Sequence, residues 1–251
     1  YKGDVVALCN VSRDVTRQRQ LQDDMVVTER LAAVGKLAAG VAHELINPLT
    51  GILTFAEDLY LEAAEEDPKR KDFEIIVNEA LRCRNIVRDL LDFSRQRPPQ
   101  RIRMSINYVV ERVITMVERQ AIFHNVRLDV ALAKDLPDVD IDAGQIQQAL
   151  LNLVINARDA MNGCGAINVR SSTRDDERWV ELSVRDAGCG IAAEQLDRIF
   201  EPFFSTKGDR GNGLGLPAVQ SLANQHGGRV EVESEVGVGS TFSLVLPAVV
   251  D

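Results

Sequence analysis

The chain has 251 residues, 45% of them hydrophobic and 27% charged, with a formal net charge of −9. That is enough apolar material for one or two packed domains, and the acidic balance argues against a nucleic-acid partner. No apolar run reaches the length needed to span a bilayer and no signal peptide is present, so no membrane contact is expected within this chain. A first residue of Tyr1 reads as a fragment whose parent could be anchored further upstream. Cys9, Cys83, Cys164 and Cys189 are dispersed without CxxC or Cys/His spacing, which argues against a zinc site or a disulfide framework.

Residues 1 to about 11, YKGDVVALCNV, read as a strand, and SRDVTRQRQLQ passes into a charged helix expected from about Val15 to Glu65. From Leu31 the apolar positions Val34, Ala38, Val41, Leu45, Pro48, Ile52, Phe55 and Leu59 alternate in steps of three and four, the a/d seam of a coiled coil. Leu21 and Met25 fall at e and b of that register, so the seam slips phase before Leu31, either as a signal-relay joint or as a fraying end. Asp67-Pro68 breaks the helix. A second seam follows through Phe73, Ile76, Ala80, Cys83, Val87, Leu90 and Ser94, in which Cys83 reads as core. Two long antiparallel helices cannot bury both faces alone, which favours a homodimeric four-helix bundle.

His43 falls at position f, opposite the first seam, with Glu44 beside it and Asn47 one turn on. Burial does not account for a histidine there. Pro48 lacks an N–H and frees the carbonyl of Glu44, which loosens the helix just after the histidine. An exposed, mobile His-Glu pair suits a nucleophile and its base.

Arg97-Pro98-Pro99-Gln100 ends the second helix as a short, stiff linker. Beyond it the pattern is mixed. Helices are expected near Ile106–Phe123, Ala143–Met161 and Leu216–His226, with strands at Val126–Leu132, Ala166–Arg174 and Trp179–Arg185. The alternation at Arg229–Ser234 and Thr241–Leu246 predicts an antiparallel hairpin. The fold class is therefore α plus α/β: a helical hairpin, then helices on one face of a mixed sheet.

Four motifs follow one another in this second half. In Asn152-Leu-Val-Ile-Asn156-Ala-Arg158-Asp159, the residues Asn152, Asn156 and Asp159 share one helix face away from the apolar side, a row that suits a cation or phosphate but also reads as a solvated face. Asp186-Ala-Gly188-Cys189-Gly190-Ile191 ends a strand, where a carboxylate can accept from an exocyclic amine and glycines allow close approach; a plain turn would look the same. Ile199-Phe200-Glu201-Pro202-Phe203-Phe204-Ser-Thr-Lys207 is an aromatic cluster with a cation. Gly211-Asn-Gly213-Leu214-Gly215-Leu216-Pro217 leads glycines into an early-helix proline, presenting free N–H groups and a helix dipole to an anion.

The string His43-Glu44-Leu-Ile-Asn47-Pro48-Leu49 resembles the H-box of two-component sensor histidine kinases. The four later motifs resemble the N, G1, F and G2 boxes of the Bergerat-type ATP-binding fold shared with gyrase, Hsp90 and MutL. The resemblance implies an ATP-dependent kinase that phosphorylates His43, with Glu44 taking the proton, and then passes the group to an aspartate of a response regulator receiver domain. It also implies that Asn156 ligates Mg²⁺, that Asp186 recognises adenine, and that Gly188 and Gly190 shape the base pocket, which Ile191 borders. Gly211, Gly213 and Gly215, with Leu214 and Leu216, would form a lid, Lys207 would contact phosphate, and Thr241 would lie near the adenine. Asn152 and Asp159 belong to the same nucleotide-binding row. Where many relatives carry a lysine this chain has Asp159, and Arg158 or Arg210 could substitute. The short lid resembles the compact-lid, nitrogen-regulator-like subgroup. Asn47 would orient a water for dephosphorylating the regulator.

By the same resemblance, residues 1–30 are the end of a PAS-like sensor domain and its signalling helix, residues 31–96 the dimerisation and histidine-phosphotransfer hairpin, 97–100 the linker and 101–251 the catalytic ATP-binding domain. A cytoplasmic location is expected. The alternative function is a slow ATPase of the gyrase, Hsp90 and MutL type, against which stands Asn152, where those relatives carry a water-activating glutamate.

Overall fold

A computed structural model of the chain describes residues 45–65, 67–94, 98–175, 177–207 and 211–249. His43, Glu44, Arg210, the strand expected at 1–11 and the phase slip before Leu31 lie outside them. The chain divides into two units between residues 96 and 97.

The first unit is a helical hairpin of α1 (45–62) and α2 (Lys69–Ser94). Its turn is built locally. The Asp67 carboxylate accepts from the N–H of Lys69 at 2.8 Å, satisfying a donor that the helix start leaves free. The Arg70 guanidinium donates to the Ala63 carbonyl at 2.5 Å and lies 4.4 Å from the centre of the Tyr60 ring, closing α2 back onto α1.

Within one chain α1 does not turn its expected seam toward α2, whereas α2 buries Ala80 and Val87 of its own seam. Val87 and Leu91 pack with Ile46 and Leu49, and Leu53, Ala56 and Ala80 are also buried. Leu45, Ile52 and Leu59 are exposed, and Phe55 is 73% exposed. Two apolar stripes run side by side on α1, one residue or about 100° apart, and both satisfy steps of three and four. The stripe through Ile46, Leu49, Leu53 and Ala56 faces α2. On α2 the same division leaves Ile76, Ile86 and Cys83 exposed in the single chain, so that Cys83 is not in the core of the hairpin itself.

In the second unit, β1 (Ile102–Met104) pairs antiparallel with β3 (Val139–Ile141), a small sheet that periodicity over such short segments does not reveal. The main sheet has five strands in the order β2-β4-β5-β7-β6, where β2 is Val126–Leu132, β4 Gly165–Arg174, β5 Trp179–Arg185, β6 Arg229–Glu235 and β7 Gly239–Pro247. Only β2 and β4 run parallel; β6 and β7 form the expected antiparallel hairpin. The helices are α3 (Ile106–Glu118), α4 (Ala143–Ala160), the single turn α5 (Ala193–Leu196) and α6 (Gly215–Gln225). The expected helix at Ile106–Phe123 is in fact two pieces, α3 and a 3₁₀ turn at Ala121–Phe123.

The core lies between one sheet face and the helices. Val109, Val113 and Val117 from α3, Leu150, Leu153 and Val154 from α4 and Val219 from α6 meet Ile167, Val169, Leu182, Val184, Phe242 and Leu244. Each such side chain contributes about 1.5–3 kcal/mol when fully buried. Alternation along the strands puts Arg170, Arg174, Glu181, Ser183, Glu231, Thr241 and Ser243 in a shallow groove on the other face. There the Arg174 guanidinium bridges Glu181 at 2.5 Å and Glu231 at 2.6 Å. The helices therefore cover only one face, and the site forms along the edges of α4 and α6.

Candidate functional site

Helix α4 starts at Asp142, whose carboxylate accepts from the N–H groups of Gly144 at 3.0 Å and Gln145 at 3.1 Å. Its second oxygen accepts from the N–H of Gln100 at 2.9 Å. Burial pulls the Asp142 pKa up, but the Gln100, Gln145 and Gly144 donors outweigh it and hold the carboxyl below its ordinary range. With this start, the apolar residues Leu150, Leu153, Val154 and Ala157 turn to the core and the row Asn152, Asn156, Asp159 turns toward α6 and the segment before it.

Lys207 closes on that row. Its ammonium donates to Asn156 Oδ1 at 3.1 Å and to Asp159 Oδ2 at 3.0 Å. Asn152 Nδ2 points to the carbonyl of Gly215, the first residue of α6, at 3.5 Å, the outer limit of a hydrogen bond. The N-cap residue of α6, Leu214, offers no side-chain acceptor to the first N–H groups of the helix, whose first residue, Gly215, lies beside Asn156. Arg158 is turned elsewhere: its guanidinium lies 5.8 Å from the centre of the Phe123 ring and 3.5 Å from the Asp159 carboxylate. Asp159 thus stands between two cations.

At the end of β5, Asp186 is only 4% exposed. Its carboxylate accepts from the N–H of Gly188 at 2.8 Å. Burial pushes its pKa up, while the backbone donors of Gly188 and Ser240 and the charge of Lys207 pull the other way. The following turn needs Gly190: its φ is +69° and a Cβ there would stand 2.0 Å from the Glu235 carbonyl oxygen. Gly188 lies against the backbone of Ala160, and the Ile191 N–H donates to Ser234 Oγ at 2.8 Å. These residues let the loop pack onto α4 and β6.

The glycine-rich segment does the same. Gly213 has φ of +64°, and a Cβ would meet the backbone of Phe203 at 2.5 Å. Its carbonyl accepts from the N–H of Phe203 at 3.0 Å, and Phe203 itself takes φ of +67°, a costly conformation for a bulky residue. Gly211 approaches Ser205, Leu214 is buried and Leu216 packs on the core.

Thr241 is not brought to this site. It pairs with Arg185 and Glu233 and lines the polar groove on the opposite sheet face. Ser240 is the residue of this strand that hydrogen-bonds to Asp186. Ser240 is buried, its carbonyl accepts from the Asp186 N–H at 2.9 Å and its hydroxyl lies 2.8 Å from Ser234 Oγ. The parity of β7 carries the signal, since Phe242, Leu244 and Leu246 point to the core and so must Ser240. Asn47 is exposed on α1.

A mixed sheet covered by helices on one face, with a buried aspartate at a strand end, an asparagine row on α4 and a glycine-rich entry into α6, defines a nucleotide-binding fold of the Bergerat class. Residues 141–250 match the family described as histidine kinase-, DNA gyrase B- and HSP90-like ATPase, and residues 33–99 match the His Kinase A (phospho-acceptor) domain. The chain belongs to the two-component sensor histidine kinases.

Sensor histidine kinase ZraS of Escherichia coli (strain K12) is 38% identical over 94% of this chain and 50% of its own length. Signal transduction histidine-protein kinase AtoS of the same strain is 34% identical over 98% of this chain and 40% of its own. The chain thus spans about half the length, or less, of these relatives. Among solved structures, full-length ShkA in complex with AMPPNP superposes with a TM-score of 0.69 at 28% identity, over 86% of this chain and 46% of ShkA. Histidine kinase ThkA in complex with response regulator protein TrrA superposes at 0.64 and 29% identity, over 94% of this chain and 68% of that one.

Proposed function

We propose that this chain is the kinase region of a sensor protein, which phosphorylates its own His43 from ATP and passes the phosphoryl group to an aspartate of a response regulator receiver domain. The observation that carries the reading is Lys207 gathered with Asn156 beside the start of α6, in a chain whose segment 33–99 matches a phospho-acceptor domain. Asp186 receives the adenine amine, and the α6 N–H groups and Lys207 receive the phosphates. An imidazole nitrogen of His43 attacks the terminal phosphorus, the bond from that phosphorus to the ADP oxygen breaks, and Glu44 takes the imidazole proton.

Mg²⁺ fits this site because Asn156 Oδ1 already accepts from a cation, the Lys207 ammonium. Asn156 would hold the metal together with phosphate oxygens, and the metal would neutralise phosphate charge. The exposed stripe of Leu45, Ile52, Phe55 and Leu59, with Ile76 and Ile86 on α2, supports a homodimeric four-helix bundle in which a second copy covers both rows. The domain limits proposed are 1–30 for a PAS-like exit, 31–96, 97–100 and 101–251. No described helix is long and apolar enough to cross a membrane, and dependence on ATP assigns the region to the cytoplasm. Hydrolysis to free phosphate is the lesser reading, because Asn152 is neutral and is turned to Gly215.

Incubation with γ-labelled ATP tests the proposal. Label retained in alkali, lost in acid and absent from His43→Gln identifies a phosphohistidine at that residue. Label on the His43→Gln variant removes the assignment.

A further inference from the structure

The charge at position 159 is the least expected feature of the site. A carboxylate beside a polyphosphate repels it, yet Asp159 stands on the same face as Asn156, one turn along α4. Its partners show what it does. One oxygen accepts from Lys207 at 3.0 Å and the other lies 3.5 Å from Arg158 Nη2. The same Lys207 ammonium spans from Asp159 to Asn156 Oδ1 at 3.1 Å.

The geometry points to Asp159 as a positioning residue that steers Lys207 onto the metal-ligand oxygen of Asn156, so that loading of metal-nucleotide is a cation exchange. This inference rests on the function proposed above. Lys207 gives up Asn156 Oδ1 to the incoming divalent cation and stays tethered to Asp159, now facing the phosphates. The exchange keeps a positive charge against Asn156 at every stage and balances the negative charge of Asp159. The arrangement also explains how the site works without a lysine at position 159: the cation comes from Lys207, and Asp159 holds it in place.

The consequence is competition between Lys207 and the divalent cation. A charge-assisted hydrogen bond of this kind corresponds to roughly a tenfold or larger factor in an equilibrium. The test is binding of a fluorescent ADP analogue, with Mg²⁺ titrated at constant nucleotide, in the full chain and three variants. Lys207→Met is expected to lower the Mg²⁺ midpoint about tenfold while weakening binding in EDTA. Asp159→Asn is expected to lower the midpoint by a smaller factor, and the double variant to match Lys207→Met alone, since Asp159 acts through the lysine. An unchanged or raised midpoint in Lys207→Met overturns the competition. A raised midpoint in Asp159→Asn makes Asp159 a metal ligand instead and overturns its positioning role. Additive effects in the double variant do the same. Failure of the unaltered chain to bind the analogue overturns the proposed function itself, and this inference with it.

Discussion

The main-chain N–H of Asp142 donates to Nε2 of His226 at 3.0 Å, while Nδ1 of the same ring lies 2.7 Å from the Leu222 carbonyl. Those two partners require the tautomer with the proton on Nδ1. His226, 1% exposed, thereby ties the end of α6 to the beginning of α4. The Arg101 guanidinium donates to the Gln225 carbonyl beside it, so the chain entering the second unit is fastened at the same point.

Replacing His226 by Ala leaves the part-buried Asp142 N–H unpaired and opens a cavity where the buried ring stood. A loss of about 2–4 kcal/mol is expected. Urea unfolding of the ATP-binding unit measures it, and an unchanged midpoint would show the ring to be dispensable.

Asp142 predicts an acid dependence. Its folded pKa is held below the ordinary value of 3.8, so its contribution is fully present above that value and is lost as the pH falls through the depressed one. Asp142→Ala should cost about 0.5–2 kcal/mol at pH 7. The difference from the unaltered chain should shrink as the pH drops below about 4. Asp142→Asn, which keeps an acceptor for the α4 donors, should retain much of the stability and lose the pH dependence. Thermal unfolding at a series of pH values reads all three.

Asp186 should behave in the opposite sense. Burial raises its folded pKa, so the ionised form is disfavoured in the folded chain and stability declines as the pH rises through that pKa. Asp186→Asn should leave the melting temperature at pH 7 unchanged or higher, because the amide oxygen can still accept from Gly188. Nucleotide affinity should fall at least about tenfold, the worth of a hydrogen bond to a charged group. Calorimetry with ADP and a melting curve separate the effects. A drop in both would mean that the carboxylate is structural.

Asn47 is exposed on α1, and alanine is a better helix former there. Asn47→Ala is therefore not expected to unfold α1. Autophosphorylation should stay within about twofold, while dephosphorylation of a purified regulator falls about tenfold or more, as a positioned water is lost. Equal loss of both activities would assign Asn47 to shaping the helix before Pro48.

The second unit was largely legible in the chain. Its strands and α4 carry uninterrupted alternation or three-four periodicity, and residues such as Leu150 and Leu182 are buried where that pattern demands. Asn156, Asp186 and the glycines that precede α6 stood out by residue type and order, because ligand chemistry restricts what can occupy such places. The sheet made by β1 and β3 did not, since three-residue strands hold too few positions to show a period.

Other features belonged to tertiary structure alone. Periodicity names an apolar stripe but not its partner, so the hairpin took Leu53 and Ala56 inward and left Ile52 and Phe55 outside. Thr241 and Ser240 are chemically alike; the parity of β7 puts them on opposite faces, and the pairing of β7 with β5 brings Ser240 to Asp186. Lys207 and Asp159 are 48 residues apart in the chain, and no local pattern joins them. A charge pair at that separation is made by the fold, which brings the segment before α6 onto the face of α4. Residue types and short-range order thus determined the elements and the chemistry on offer, while packing chose which faces meet and which charges share a site.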